Sequence, residues 1–457
     1  MDIIKIDQNL CMGCQECVKV CPAYAIEGEP LKPQTIVSER CIKCGQCVQI
    51  CKSYISPVGK DVARYEKIRE ERGIPKVVKE PLFAAYNVCH IDKVKEALRN
   101  PSMITMVQCA PAVRVAIAED FNETLGTLSP GRLAAALKKL GFDYVYDTNF
   151  AADLTIMEEG TELIKRITQG GVLPMFTSCC PAWVQFIEHT YPELTDHLST
   201  CKSPQQMQGV IEKTYGAKMN QILPENIFSV SVMPCTSKQF ECNREEMQDS
   251  GYRDVDVVLT TRELAWLLKE EQIEFSSLAE QGFDQPLGDY SGAGTIFGVT
   301  GGVMEAAIRT GYELLTGQSI PQVEITQVRG TQGYRTSNIQ IGELNLKVAV
   351  VTGLTGIIEL LETVKNGVCD LHFIEVMTCP EGCISGGGQP KLLLDQDRPE
   401  AYAKRREALL KHDVSLKVRK SHENPSIKKL YQDYLEQPNS EIAHHLLHTK
   451  YKRSTSV

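Results

Sequence analysis

The sequence predicts an α/β protein whose mostly parallel sheets are flanked by helices, preceded by a small α+β domain at the N-terminus. Four short apolar runs each stop at a cysteine turn, amphipathic helical patterns separate these runs, and a duplicated cysteine motif occupies the first fifty residues. At 457 residues the chain is long enough for more than one domain.

The N-terminal motif has the form CxxCxxCxxxC and occurs twice at identical intervals. This spacing is typical of a two-cluster bacterial ferredoxin, in which three neighbouring thiolates and one from the other motif hold each [4Fe-4S] cluster. Structural zinc is disfavoured, because zinc sites use pairs of CxxC type. The predicted ligands are Cys11, Cys14, Cys17 and Cys51 for one cluster, and Cys41, Cys44, Cys47 and Cys21 for the other.

We predict three regions along the chain. Residues 1–56 form the ferredoxin-like domain, and residues 57–100 form a polar helical connector interrupted by Gly73 and Pro75. Residues 101–457 form the domain that uses the electrons, with a helical wrap at its C-terminal end. A reaction is expected in this last region because a ferredoxin-like domain only transfers electrons.

The four apolar runs are predicted to be buried strands, namely SMITMVQCAP, VLPMFTSCCP, IFSVSVMPC and LHFIEVMTCP. Helical patterns between them include SPGRLAAALKKLGF, SPQQMQGVIEKTYGAKM and TRELAWLLKEEQI. Ligands collect at the carboxyl ends of parallel strands, so the cysteines at positions 179, 180, 235, 379 and 383 are expected to converge. Ordinary packing roles are expected for the cysteines outside this context, Cys89, Cys201, Cys242 and Cys369.

The last apolar run continues into EVMTCPEGCISGGGQP, where a CxxxC pair precedes three glycines. A bulky cofactor held by Cys379 and Cys383 needs the chain to pass close to it. Gly386, Gly387 and Gly388 remove side chains and permit unusual backbone angles. A flexible surface turn is the alternative, but it gives no reason for the two flanking cysteines.

Charge and hydropathy exclude several classes of protein. A net charge of -9 disfavours nucleic-acid binding. No stretch approaches the ~20 apolar residues of a membrane span, and the N-terminus lacks an export signal. Eighteen cysteines without such a signal indicate a cytoplasmic protein that uses thiols for metal binding or chemistry. No glycine-rich dinucleotide fingerprint follows a strand, so direct use of NAD is not expected.

Three segments, TSCCPAW, MPCTSKQFE and EVMTCPEGCISGGGQP, resemble the signature segments of [FeFe]-hydrogenases. The resemblance covers nearly the whole chain from about residue 100 and implies reversible reduction of protons to H2. It implies an H-cluster, in which a [4Fe-4S] cluster is joined to a diiron unit bearing CO, cyanide and an azadithiolate bridge. The implied cluster ligands are Cys180, Cys235, Cys379 and Cys383, with Cys383 as the bridge to the diiron unit.

The same resemblance implies roles for the surrounding residues. The implied proton relay is Cys179, Glu159, Ser199, Glu162 and Arg166, and Lys238 would hydrogen-bond a cyanide nitrogen. The implied lining of the diiron pocket is Ala110, Pro111, Ala112, Gln205, Met233, Phe297 and Met377. Without the resemblance, two glutamates three apart on a helix would suggest a solvated face, and methionines at strand ends would suggest core packing.

The implied electron partner is a ferredoxin or flavodoxin, the substrates are H2 and protons, and maturation proteins would install the diiron unit. No nucleic-acid or membrane partner is expected. One alternative is a hydrogen sensor, which would lose the proton relay and add a signalling domain. Another is an iron-sulfur assembly protein, which would keep the cluster ligands without the diiron unit. The relay residues and Lys238 favour the enzyme over both alternatives. An enzyme that belongs to an electron-bifurcating complex with partner subunits is a further alternative.

Overall fold

The computed structural model describes residues 3–354 and 356–452. The strands are β1 (Ile4–Ile6), β2 (Ile26–Glu27), β3 (Thr35–Ile36), β4 (Tyr54–Ile55), β5 (Leu82–Phe83), β6 (Ala85–Asn87), β7 (Ile104–Cys109), β8 (Tyr144–Asp147), β9 (Met175–Phe176), β10 (Ile227–Met233), β11 (Val257–Thr260), β12 (Tyr334–Ile341), β13 (Leu344–Thr352) and β14 (Phe373–Met377). The helices are α1 (Glu16–Val20), α2 (Gln46–Ile50), α3 (Val62–Glu71), α4 (Ile91–Arg99), α5 (Pro130–Leu140), α6 (Thr148–Gln169), α7 (Pro181–Thr190), α8 (Pro204–Ile211), α9 (Ala217–Asn220), α10 (Ser237–Glu241), α11 (Thr261–Glu270), α12 (Gly292–Thr295), α13 (Gly302–Thr316), α14 (Ile357–Lys365), α15 (Arg398–Ser415), α16 (Pro425–Leu430) and α17 (Glu441–Leu447).

Two four-stranded sheets form the centre of the larger part of the chain. The first has the order β11-β10-β7-β8 and is parallel throughout. The second has the order β12-β13-β14-β9, and only the β12-β13 pair is antiparallel. Strand β14 is buried at every position, as expected for a parallel strand covered on both faces. The α/β prediction is confirmed, and the four cysteine-terminated runs contribute two strands to each sheet.

The predicted helical segments form α5, α8 with α9, and α11. Helix α11 begins with a capping box, in which the Thr260 side chain accepts from the Glu263 backbone and the Glu263 carboxylate accepts from the Thr260 backbone at 2.7 Å. Helix α6 is 22 residues long and buried over most of its length. Glu159 and Glu162 on this helix are both buried, so they do not form the solvated acidic face that two glutamates three apart would otherwise suggest.

The N-terminal part contains three small antiparallel sheets, β1 with β6, β2 with β3, and β4 with β5. Two of these pairings use β5 and β6, which lie in the predicted connector. Helix α3, also from the connector, buries Tyr65 and Ile68 against Leu10 and Ile55 of the N-terminal domain. The segment 57–100 therefore packs as part of the N-terminal sheets rather than as a free polar link. The three-region division itself stays a prediction.

No helix in the described ranges is both long and apolar enough to cross a membrane.

Candidate metal centre and active site

Four cysteines from distant parts of the chain line one cavity of about 80 Å³. Cys180 follows β9, Cys235 follows β10, and Cys379 and Cys383 follow β14. Burial first, and then the Cys180 thiolate, raises the pKa of Cys235 to about 11. Burial and the thiolates of this group also raise the pKa of Cys379 and Cys383. Four sulfurs that converge on one cavity offer a ligand set for a metal centre, and thiolates are the usual ligands of iron-sulfur clusters.

The same cavity extends beyond the sulfurs into a mostly apolar chamber. Its wall includes every residue expected in the diiron pocket, Ala110, Pro111, Ala112, Gln205, Met233, Phe297 and Met377. Cys179 and Lys238 also line it. The lining residues that the sequence analysis missed are Thr148, Ala152, Pro181, Pro204, Pro234, Gly298, Thr378 and Gly382. Room beside the four sulfurs and a buried ammonium suited to an anionic ligand fit the H-cluster that the resemblance implies.

Lys238 has an anionic partner inside the chain. Its Nζ atom donates to Glu241 Oε2 at 2.8 Å and to the backbone oxygen of Cys179 at 3.1 Å. The Glu241 carboxylate also accepts from Ser203 Oγ at 2.9 Å and from Gln205 Nε2 at 3.2 Å. The sequence analysis missed Glu241, although its position three residues after Lys238 on α10 was the signal that could have found it. The cyanide contact of Lys238 stays a prediction.

The three glycines allow backbone to approach backbone. A Cβ atom on Gly386 would lie 2.1 Å from Pro234 O, and one on Gly387 would lie 2.4 Å from Cys44 O. A Cβ atom on Gly388 would lie 2.9 Å from the Thr260 side chain. None of the three is among the described residues with positive φ, so the expectation of unusual backbone angles here was wrong. The sequence analysis expected the chain to pass close to a cofactor here. Gly387 instead lies against the backbone of the second N-terminal cysteine motif.

Replacing Gly387 with alanine is expected to lower the free energy of unfolding by ~1–3 kcal/mol, because the new methyl group would overlap the Cys44 and Gly45 backbone. The midpoint of thermal unfolding measures this change. Gly311→Ala in α13 is the matched control, since no atom lies within 4 Å of its added Cβ. The control should be neutral or stabilising by ~0.5–1 kcal/mol. Equal midpoints for Gly387→Ala and the unmodified protein would contradict the overlap.

The N-terminal cysteines form two groups with an exchanged fourth member. Burial raises the pKa of Cys17 to about 11, and the thiolates of Cys51, Cys11 and Cys14 add to this effect. Burial likewise raises the pKa of Cys47, with added effects from the second motif and Cys21. These neighbours include the expected fourth member of each group, Cys51 and Cys21, and the ligand sets themselves stay a prediction.

The second cysteine motif lies against the central cysteines. Burial is the main cause that raises the pKa of Cys44, and the Cys235 thiolate adds to it. Burial also raises the pKa of Cys379, and the Cys235 and Cys44 thiolates add to it. Gln49 Nε2 donates to Gly386 O at 3.2 Å and to Gln389 O at 2.9 Å. Thr236 Oγ1 donates to Lys43 O at 2.7 Å. These contacts hold the second cysteine motif against the segments that carry the central cysteines.

Three of the five expected relay residues, Glu159, Glu162 and Arg166, lie on α6, and the other two, Cys179 and Ser199, come later in the chain. Glu162 accepts from Ser199 Oγ at 2.8 Å and from Arg166 Nη2 at 2.6 Å. The Arg166 side chain is 12% exposed, so this end reaches the surface. Glu159 is 1% exposed, and within the described chain neither of its carboxylate oxygens has a hydrogen-bond partner. No direct hydrogen bond between Cys179 and Glu159 is present among the described residues.

Burial raises the pKa of Glu159 to about 8, and the charge of Glu162 adds to this, while Ser199 and the Ser178 backbone offset part of it. Burial, followed by the Glu159 charge, raises the pKa of the Cys179 thiol well above its usual value. Both groups therefore hold protons at neutral pH beside the cavity. The structure brings the five expected relay residues together, and their role stays a prediction.

Glu159→Gln is expected to change how stability depends on pH. In the unfolded chain this carboxyl ionises near its ordinary pKa of 4.5, whereas in the folded chain it keeps its proton up to about pH 8. The folded state binds more protons between these values, so Glu159 makes the protein less stable as pH rises through this window, by ~1.4 kcal/mol per unit. The variant should therefore gain in thermal midpoint relative to the unmodified protein from pH 6 to pH 8. A difference that stays flat over this range would contradict the raised pKa.

Family models describe most of the chain. The model "Iron only hydrogenase large subunit, C-terminal domain" matches residues 103–387, which hold all four central cysteines. The chain belongs to the iron-only, or [FeFe], hydrogenase family. The model "4Fe-4S dicluster domain" matches residues 3–52, and "Iron hydrogenase small subunit" matches residues 399–454 of this hydrogenase family member.

Curated relatives and solved structures agree with this family. NADP-reducing hydrogenase subunit HndD from Solidesulfovibrio fructosivorans is 49% identical over 79% of the chain, and the match spans only 62% of HndD. Iron hydrogenase 1 from Clostridium pasteurianum is 39% identical over 98% of the chain and 76% of that relative. Cytosolic iron-sulfur assembly component 3 from Rattus norvegicus is 31% identical over 79% of the chain and 77% of that relative. A variant of apo [FeFe]-hydrogenase HydA1 from Chlamydomonas reinhardtii has a TM-score of 0.70 at 40% identity, covering 79% of this chain and 99% of that one.

Proposed function

We propose that this chain catalyses the reversible reduction of protons to H2, 2H+ + 2e- in equilibrium with H2, using electrons passed through two N-terminal [4Fe-4S] clusters. The observation that carries the proposal is the chamber beside the four convergent sulfurs, closed on its other sides by apolar residues and by Cys179. An assembly protein that bound only the cluster would have no use for this additional space. A resident diiron unit would use it.

The chain's own residues would hold the H-cluster and supply its protons. Cys180, Cys235, Cys379 and Cys383 would ligate the cluster, and the Lys238 ammonium would face its anionic ligands. When bound, the diiron unit supplies an open iron position at which H2 is formed or split.

The apolar wall of the chamber excludes water, which strengthens electrostatic interactions there and leaves protons to a defined route. Cys179 is the one thiol of the chamber that is not assigned to the cluster. Its position between the chamber and Glu159 suits it to receive and donate a proton. Glu159, Ser199, Glu162 and Arg166 continue this route to the surface.

A ferredoxin or flavodoxin is the proposed electron donor, and the cytoplasm is the proposed location. A second candidate arrangement is a complex in which another subunit exchanges electrons with NADP, which the likeness to the HndD subunit favours. Maturation proteins would install the diiron unit in either case.

Infrared spectroscopy of the matured protein, together with H2 evolution assays, tests these proposals. Bands of iron-bound CO and cyanide, with H2 evolution from reduced ferredoxin, are expected. The assembly alternative predicts no such bands, and the sensor alternative predicts bands with very slow turnover. H2 evolution that requires NADPH and further subunits, and fails with ferredoxin, would support the complex instead.

A further inference from the structure

A second group of metal-ligating side chains lies beside the C-terminal half of α6, outside the cavity. Glu162, Cys201 and His448 are all buried, and one donor atom from each lies within 4.8 Å of the other two. The Cys201 sulfur is 3.9 Å from Glu162 Oε2 and 3.9 Å from His448 Nδ1. In a tetrahedral zinc site, with Zn–S of ~2.3 Å and Zn–N of ~2.0 Å, ligand atoms are ~3.5 Å apart. The two distances from the Cys201 sulfur thus exceed this spacing by only a few tenths of an ångström, and the Glu162 and His448 donor atoms lie within 4.8 Å of each other.

The histidine is oriented as a metal ligand would be. Its Nε2 atom is 3.1 Å from Glu158 Oε2, and a carboxylate at this distance places the imidazole proton on Nε2. The Glu158 carboxylate is itself fixed by Tyr431 Oη at 2.5 Å and by Asn439 N at 2.7 Å. Nδ1 is then the unprotonated nitrogen. It accepts from the Thr200 hydroxyl at 2.7 Å and lies 3.9 Å from the Cys201 sulfur, so a metal would take the place of the Thr200 contact. A carboxylate that accepts from the other ring nitrogen of a ligating histidine is usual at zinc sites, where it fixes the orientation of the ring.

The Cys201 thiol is also suited to bind a metal, and a surface histidine lies beside the site. Burial, followed by the charges of Glu162 and Glu159, raises the pKa of Cys201, so the thiol keeps its proton until a cation arrives. Binding replaces that proton, giving a metal thiolate and one released H+. His444 is exposed and stacks on His448 with ring centroids 4.6 Å apart, which places a surface imidazole beside the buried one.

We propose that Glu162, Cys201 and His448 form a site for a zinc-like divalent cation, and that its occupation closes the proton relay. The metal takes Glu162 Oε2, which is the atom that now accepts from Ser199 Oγ at 2.8 Å. Ser199 then loses its link to Glu162, and the positive charge of the metal opposes passage of a proton. The site stands on its own geometry, whereas the inhibition rests on the proposed hydrogenase function.

The test adds Zn²⁺ to the cluster-loaded holoenzyme and to Cys201→Ala, with Cys242→Ala as the matched loss of a buried thiol elsewhere. Zinc K-edge X-ray absorption of the unmodified protein should show one sulfur at ~2.3 Å and nitrogen or oxygen ligands at ~2.0 Å. The Cys201→Ala variant should bind one zinc fewer per chain. Cys242→Ala should bind as many as the unmodified protein. Equal zinc content and equal sulfur coordination in all three proteins would overturn the site.

The same samples report on the relay. Zinc should lower H2 evolution by about 100-fold in the unmodified protein and in Cys242→Ala, the size of a lost acid-base step. The Cys201→Ala variant, compared with its own zinc-free rate, should be much less sensitive. Zinc bound at the site without a change in rate would overturn the closure of the relay. A protein that binds zinc there but evolves no H2 under any condition would contradict the proposed function and leave the site standing.

Discussion

Replacement of Cys179 with alanine is expected to lower the rate of H2 evolution by about 10²–10⁴-fold, the usual contribution of a positioned acid-base group. Methyl in place of thiol leaves no group in the chamber wall next to Glu159 that can take up and release a proton. The four proposed cluster ligands are untouched by the change. Infrared bands of the diiron unit should therefore persist while turnover is lost. The infrared spectrum and the rate of H2 evolution, measured on one sample, check this prediction.

Two features of the structure explain why replacing Cys179 should have the largest effect on the rate of H2 evolution. It lines the chamber, and burial together with the nearby Glu159 raises its pKa, so it carries a proton at neutral pH. Cys369→Ala, a half-buried thiol outside the chamber, is the control for loss of a cysteine and should keep the unmodified rate. Loss of the infrared bands in Cys179→Ala would instead indicate a structural role. Full turnover with intact bands would show that protons reach the chamber by another route.

The cysteine spacing allowed the sequence to predict much of the centre. The CxxCxxCxxxC repeats identify a local ligand pattern, and cysteines placed after apolar strands meet because parallel strands end at one edge. Both inferences depend on short-range patterns, which a single sequence displays. The family resemblance then added the residues of the chamber wall. Alanine, proline and methionine in a sequence do not by themselves indicate a cofactor pocket.

The sequence predicted the contacts between distant segments less well. Strands β5 and β6 are only two and three residues long, too short for an alternating pattern to mark them. The backbone that Gly387 contacts belongs to Cys44, more than three hundred positions away. The three glycines could therefore predict that the backbone lies close to another group, but not which segment supplies that group. Cys201 was expected to pack as an ordinary apolar residue. Its neighbours Glu162 and His448 come from distant parts of the chain, so no local pattern indicated that the three side chains meet.

Lys238→Met is expected to reduce the free energy of unfolding by ~3–5 kcal/mol, the cost of removing one partner from a buried ion pair. The Glu241 side chain is 4% exposed, and without the ammonium its charge would be left with only the neutral donors Ser203 and Gln205. Burial alone would lower the pKa of Lys238, but the Glu241 carboxylate, followed by the Cys235 and Cys179 thiolates, more than offsets it and raises the pKa, so the ammonium keeps its proton in the folded protein. The thermal midpoint of each variant is the measurement.

The double variant Lys238→Met with Glu241→Gln separates a lost ion pair from a lost cofactor contact. Glutamine removes the buried charge while its carbonyl can still accept from Ser203, so the double variant should be clearly more stable than Lys238→Met alone. The comparison is made in protein produced without the maturation proteins, where no cyanide is present to engage the ammonium. If Lys238 were held in place mainly for the cofactor, Lys238→Met would cost little in that protein, and Glu241→Gln would add nothing. The 2.8 Å contact between Nζ and Oε2 predicts the opposite. The ammonium would then be positioned at the chamber before the diiron unit arrives, because Glu241 already supplies the charge that makes its burial possible.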